Sequence, residues 1–191
     1  MKKPAILAIL LTLFTFYFKL NDKEAIQIEP NLRCPTGEGS PRLVLGHIET
    51  VKMGDDQNIA FEAKIDSGAE VSSLHAEKIH PFTKTIFEEN TQKEVLYVQF
   101  TTIDDHQKKH HLTRMVSRVD QVKSASGIST RYFFKESLWV KNKEYEIEVN
   151  LADRSLLSRK LLIGRNILNQ GYLIDTSRSY LLTKSLKTID D

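Results

Sequence analysis

Residues 63–76, AKIDSGAEVSSLHA, join the end of an alternating apolar segment to a run of small residues. Upstream, Ile59, Phe61, Ala63 and Ile65 recur with a period of two, which predicts a half-buried strand ending at Ile65. Asp66-Ser67-Gly68-Ala69 follows at once and predicts a tight turn. The aspartate can bond its own backbone in an Asx-type turn, and Gly68 lets the main chain come close to whatever Asp66 faces. Taken alone this is weak, because composition puts such a tripeptide in roughly one chain in ten of this size. What it offers is a carboxylate at the mouth of a strand.

Working outward, most of the chain reads as short strands. LVLGHIETVKM (43–53) is a candidate first strand with Gly46 as a possible bulge. EVLYVQF, HLTRMVSRV, RYFFKESLWV and YEIEVNL follow, then YLIDT and SYLLT close the pattern. The clearest is 145–151, with Tyr145, Ile147, Val149 and Leu151 on one face and Glu146, Glu148 and Asn150 on the other. Helical periodicity is confined to a turn or two beginning near Arg165. Many short strands with regular turn signals predict an all-β barrel or sandwich.

A second motif, LLIGRNIL (161–168), sets Gly164, Arg165 and Asn166 into an apolar run. An aspartate loop after one strand, with an apolar-apolar-Gly-Arg-Asn strand end later, resembles the retropepsins, the retroviral-type aspartic proteases. Four stretches together, AKIDSGAEVSSLHA, RVDQVKSASGISTRYFF, VNLADRSLLSRKLLIGRNIL and LIDTSRSYLL, resemble a bacterial retropepsin-like aspartic endopeptidase family often labelled "ATP-dependent zinc protease". The likeness covers about residues 43–184.

The resemblance implies a closed barrel with one short C-terminal helix. It implies Asp66 as the catalytic residue, in an active-site loop completed by Ser67, Gly68 and Ala69. It implies loop support from Gly164 and from an ion pair between Arg165 and Glu70, the acid directly after the loop. It also implies a flap, for which the hairpin tip around Gly127 is the candidate. The 98 positions from Asp66 to Gly164 exceed the viral spacing, so flap and pockets do not transfer residue by residue. An aspartic protease needs two carboxylates sharing one proton, because adjacent like charges cannot both ionise. The chain has one Asp-Ser-Gly, and Asp175-Thr176-Ser177 lacks the glycine. The expectation is therefore a homodimer with one Asp66 from each subunit, a protein or peptide substrate, and no cofactor. The alternative is a non-catalytic module of the same fold that binds a peptide or a partner at the membrane.

Other features bound the function. Net charge is +2, and without Lys2, Lys3 and Lys19 the remainder holds 24 basic and 25 acidic residues, which gives no electrostatic case for nucleic acid. Lys2 and Lys3 precede an apolar run from Ala5 to Phe18, which reads as a secretory signal or signal anchor. No A-x-A-like cleavage site follows, favouring an inner-membrane anchor with the body facing the periplasm; cleavage to a free periplasmic protein is the rival. The expected organisation is a signal anchor or signal peptide at 1–20 forming a hydrophobic helix ahead of the barrel, a flexible Pro- and Gly-containing linker at 21–42, and the retropepsin-like domain at 43–191. The single cysteine, Cys34, allows no internal disulfide. His106, His110 and His111 have helical spacing for zinc only on a helix, and their surroundings read as a polar loop entering a strand, so no metal is expected. His75 is read as either a neighbour of the active loop or a structural histidine. No G-x-x-x-x-G-K-[ST] supports ATP, and Ser67 lacks the G-x-S-x-G setting of a hydrolase nucleophile.

Overall fold

The computed structural model describes residues 42–88, 91–124 and 127–186; the signal segment and nearly all of the linker lie outside them. Twelve strands and one short helix are present among the described residues. The anticipated first strand is two: β1 (Leu43–Gly46) and β2 (Ile48–Met53), broken at His47. At the break the His47 N–H donates to the Arg178 carbonyl (2.8 Å), and a Cβ on Gly46 would lie 2.6 Å from that same oxygen. Then come β3 (Ile59–Ile65), β4 (Ser72–His75), β5 (Glu77–Glu88), β6 (Thr91–Ile103), β7 (Lys109–Met115), β8 (Arg118–Ser124), β9 (Gly127–Val140), β10 (Lys143–Ala152), β11 (Leu161–Ile163), α1 (Arg165–Leu168) and β12 (Tyr172–Asp175).

Strand order in the main sheet is β10-β4-β11-β3-β2-β9-β8, and β10 pairs with β9 as well. That extra pairing closes a ring of six strands, with β8 branching from β9 outside it. Closure removes the exposed edges an open sheet would carry. The inward residues are the ones the alternation predicted: Phe61 and Ala63 of β3, and Val149 and Leu151 of β10, are at most 1% exposed. Leu161 and Ile163 of β11 fill the middle of the same core.

β5, β6 and β7 form a separate antiparallel sheet. β5 gave no strand signal because Pro81 interrupts it. It is an edge strand with a register irregularity between Glu77 and His80, where a missing N–H is tolerated. The tail SYLLT is not a strand. After β12, which pairs in parallel with β1, residues 180–186 lie across the outside of β2 and β3. Two buried carboxylates hold them. Glu49 accepts N–H bonds from Gly46 (2.7 Å), Leu181 (3.0 Å), Leu182 (3.1 Å) and Thr183 (2.9 Å), and the Thr183 hydroxyl donates at 2.5 Å. Glu62 accepts from the Arg159 guanidinium (2.6 Å), the Ser185 hydroxyl (2.9 Å) and the Leu186 N–H (3.3 Å). The carboxylates take the place that strand pairing would have had.

Candidate active site

Asp66 sits where β3 stops, and β11 runs parallel beside that end with Ile163 opposite Ile65. The Asp66 N–H donates to the Ile163 carbonyl at 3.0 Å. The turn then closes on the aspartate: the Gly68 N–H donates to Oδ1 at 3.0 Å and the Ala69 N–H to the Asp66 carbonyl at 3.3 Å. Ser67 and Gly68 are exposed and Asp66 is half-buried, so the loop presents its carboxylate at the surface of the single chain.

The second motif holds this loop from below. Gly164 is packed so tightly that a Cβ would lie 2.8 Å from the Val71 carbonyl carbon and 3.0 Å from the Ala69 oxygen. Backbone atoms cannot swing aside, so Gly164→Ala is expected to lower stability by about 1–3 kcal/mol, read as a fall in unfolding midpoint. The Arg165 N–H donates to the Ala69 carbonyl (2.8 Å) and the Asn166 N–H to that of Glu70 (3.1 Å). The Asn166 side chain is the hub. Its Oδ1 accepts from the Ser72 hydroxyl (2.8 Å) and N–H (3.2 Å), its Nδ2 donates to the Glu148 carbonyl (2.7 Å), and Ser72 Oγ in turn accepts the Gly164 N–H (3.1 Å). Donor and acceptor ends of the half-buried Asn166 amide are both engaged, which fixes the amide orientation and the loop with it.

Arg165 requires a correction. It does reach back to the loop, but its guanidinium donates to the carbonyls of Ser67 (3.1 Å) and Gly68 (3.4 Å), and among the described residues it makes no ion pair with Glu70. Both side chains are exposed and border a shallow hollow of about 520 Å³ beside Glu148 and Asn166. Carbonyls that a tight turn leaves pointing outward are the nearer acceptors. Glu70 supports the loop through its backbone.

Lysine and arginine surround the carboxylate. Lys64 Nζ lies 3.2 Å from Asp66 Oδ2. Burial pushes the Asp66 carboxyl up, but the Lys64 ammonium and the N–H groups of Gly68 and Ala69 outweigh it and hold it below the usual carboxylate range. Arg154, 8% exposed, is near enough to feel both Asp66 and Arg131. Burial and then the Arg131 charge lower its pKa, and Asp66 opposes them. Arg131 stands on β9 in one arm of the β8–β9 hairpin; its Nη1 meets Asn150 Oδ1 at 3.3 Å and its buried Nε has no partner among the described residues. Neither arginine was marked by the sequence, because their meeting depends on β9 and β10 lying side by side. Lys64 had a signal: two residues before Asp66 on a strand, it shares the aspartate's face.

The remaining candidates fall elsewhere. Ser124 pairs with Gly127 across β8 and β9, so Gly127 stands at the hairpin tip with φ +121°, in the region that favours glycine. His75, 1% exposed, accepts the Arg154 N–H at Nδ1 (3.0 Å) and faces Glu77, the pattern of a structural histidine that also anchors the Arg154 loop. His106 lies in a turn; His110 bonds Asp104 (2.8 Å) and His111 bonds Thr101 (2.9 Å) from opposite faces of β7. Among the described residues no three His, Cys, Asp or Glu side chains gather as a metal site.

A family model described as RimB-like, retropepsin-like aspartic endopeptidase RimB, matches residues 44–185. A probable alpha-L-glutamate ligase of Shewanella halifaxensis is 29% identical over 133 residues, and one of Parasynechococcus marenigrum 31% over 127; each alignment takes in 64% of this chain and 26% of the relative. The chain thus spans about a quarter of the length of these curated relatives. A crystal structure of a Legionella pneumophila protein of unknown function superposes with a TM-score of 0.54 at 24% identity, covering 72% of this chain and 95% of that one, which is a likeness of fold.

Proposed function

The chain belongs to the RimB-like family of retropepsin-like aspartic endopeptidases, and from that membership we propose that it hydrolyses peptide bonds at a site built from two Asp66 carboxylates, one from each subunit of a homodimer. The observation that carries this reading is the presentation of Asp66: a carboxylate at the surface, on a loop whose backbone is fixed from β11 and α1. One Asp66, ionised, takes a proton from water as its oxygen attacks the peptide carbonyl carbon. The other, protonated, donates to the carbonyl oxygen. The tetrahedral intermediate then loses its C–N bond as the nitrogen leaves protonated, and the carboxylates again share one proton. Ser67 and Gly68, exposed in the single chain, are the surface that would meet the second subunit.

Arg131, Arg154 and Lys64 give the neighbourhood of Asp66 a positive charge, which favours substrates with acidic side chains beside the cleaved bond. The glutamate in the relatives' names accords with this preference. Their ligase activity is not carried over, since three quarters of each relative lies outside the match. Arg154→Ala is expected to lower kcat/KM for a glutamate-rich peptide by about tenfold or more while sparing a neutral peptide; equal loss on both would argue against charge recognition. The lysine-headed apolar run before residue 20 supports an exported, membrane-tethered enzyme. Fractionation of cells with a C-terminal tag tests it, and release of the tag into the cytoplasm would overturn it.

A further inference from the structure

Lys64 takes no part in the proton transfers just described, yet it is the cation that touches Asp66. It lies on β3 opposite Leu162 of β11 and Ile48 of β2, which fixes its backbone on both sides. Among the described residues its ammonium makes no other bond or ion pair, and the side chain is 54% exposed. The two oxygens of Asp66 are divided: Oδ1 takes the Gly68 N–H and Oδ2 takes Lys64. The proton shared in a carboxylate pair has to reside on such an oxygen.

We propose that Lys64 is a positioning residue that controls when Asp66 holds its proton, and thereby the upper pH limit of hydrolysis; the second clause rests on the paired-carboxylate reading. In a homodimer two ammonium groups would stand beside two carboxylates. The fully ionised pair is then close to neutral overall, and the repulsion that normally keeps one proton bound is weakened. The proton is lost at lower pH than from an isolated pair. The other charges facing Asp66 act in the same sense or stay aside. Arg154 approaches from the loop after β10, with Arg131 behind it, and Arg165 is turned to the Ser67 and Gly68 carbonyls. Arg154 is buried and bonded to the Arg159 carbonyl, whereas Lys64 is free to swing, so Lys64 is the adjustable contact.

The test uses the full chain in detergent micelles, with carbon-13 at the aspartate carboxyls and Asp66 assigned by its loss in Asp66→Asn. Lys64→Met should raise the pH at which Asp66 protonates, and Lys64→Arg should leave it nearly unchanged. In parallel, kcat/KM against pH on a peptide substrate without charged side chains should show both limbs moved upward in Lys64→Met, giving a several-fold gain in relative activity just above the wild-type basic limb. An unchanged Asp66 titration in Lys64→Met would overturn the proposal. So would a uniform loss of kcat/KM at every pH, the mark of a structural role. A shifted titration in a protein that cleaves nothing at any pH or concentration would retain the control of Asp66 by Lys64 and reject the endopeptidase reading instead.

Discussion

Asp66→Asn should abolish peptide hydrolysis, by at least about 10²–10⁴-fold if it removes general acid–base catalysis alone, while the unfolding midpoint stays near that of the parent. Asparagine is isosteric and still accepts the Gly68 N–H, so the loop has no reason to move. What it cannot do is take a proton from water. Since each chain carries one Asp-Ser-Gly, a mixture of wild-type and variant chains should lose activity faster than in proportion to the variant added. Activity per wild-type chain should also climb with protein concentration until dimers saturate. Activity in Asp66→Asn, or strict proportionality to the wild-type fraction, would remove the paired-carboxylate mechanism.

The second large effect is expected far from that loop. Glu49→Ala should cost about 3 kcal/mol or more, because several N–H groups and a hydroxyl lose a charged acceptor at once and a hydrogen bond to a charged group contributes about 1.5–3 kcal/mol net of exchange with water. Glu49→Gln keeps one acceptor oxygen but turns an NH₂ toward N–H donors, and should fall between. Thermal or urea unfolding would read both. Glu62 adds a pH dependence. Burial raises its pKa, but Tyr180, Ser185 and Arg159 outweigh burial and leave it below the ordinary value. Its folded pKa is thus depressed, so its stabilisation is present above the unfolded carboxylate range and is lost as pH falls through the folded value. The tail should loosen on acidification, and Glu62→Gln should flatten that response.

The alternation in β3 and β10 was legible because one face of each strand meets the core, and Asp66, Gly164 and α1 were legible because two short motifs mark them. Strand number and spacing gave an all-β barrel or sandwich, and the family resemblance chose the barrel. Other features lacked a local signal. Pro81 hid β5, since an edge strand can do without an N–H that an interior strand needs. SYLLT has strand composition, but Glu49 intercepts its N–H groups from another part of the chain. The Arg165–Glu70 pairing was carried over by analogy, whereas the nearer carbonyls of Ser67 and Gly68 win in this loop. Asn166 was in plain view within the motif, but its role shows only when Ser72 and Glu148 are brought to it by folding.

One strand serves two elements. From Phe133 to Val140, β9 is part of the barrel wall beside β10; from Gly127 to Phe133 its ladder among the described residues runs with β8. At that boundary the Arg118 guanidinium lies 3.5 Å over the Phe133 ring and its Nε bonds Glu148. The hairpin is therefore a cantilever clamped at Phe133. A two-stranded ribbon has little stability of its own, so its stiffness is borrowed from the wall. A force at Gly127 is felt as torque on β10, the strand that carries Glu148 and leads to Arg154. Amide exchange should consequently show a step at Phe133 rather than a gradual slope, fast toward the tip and slow toward Val140.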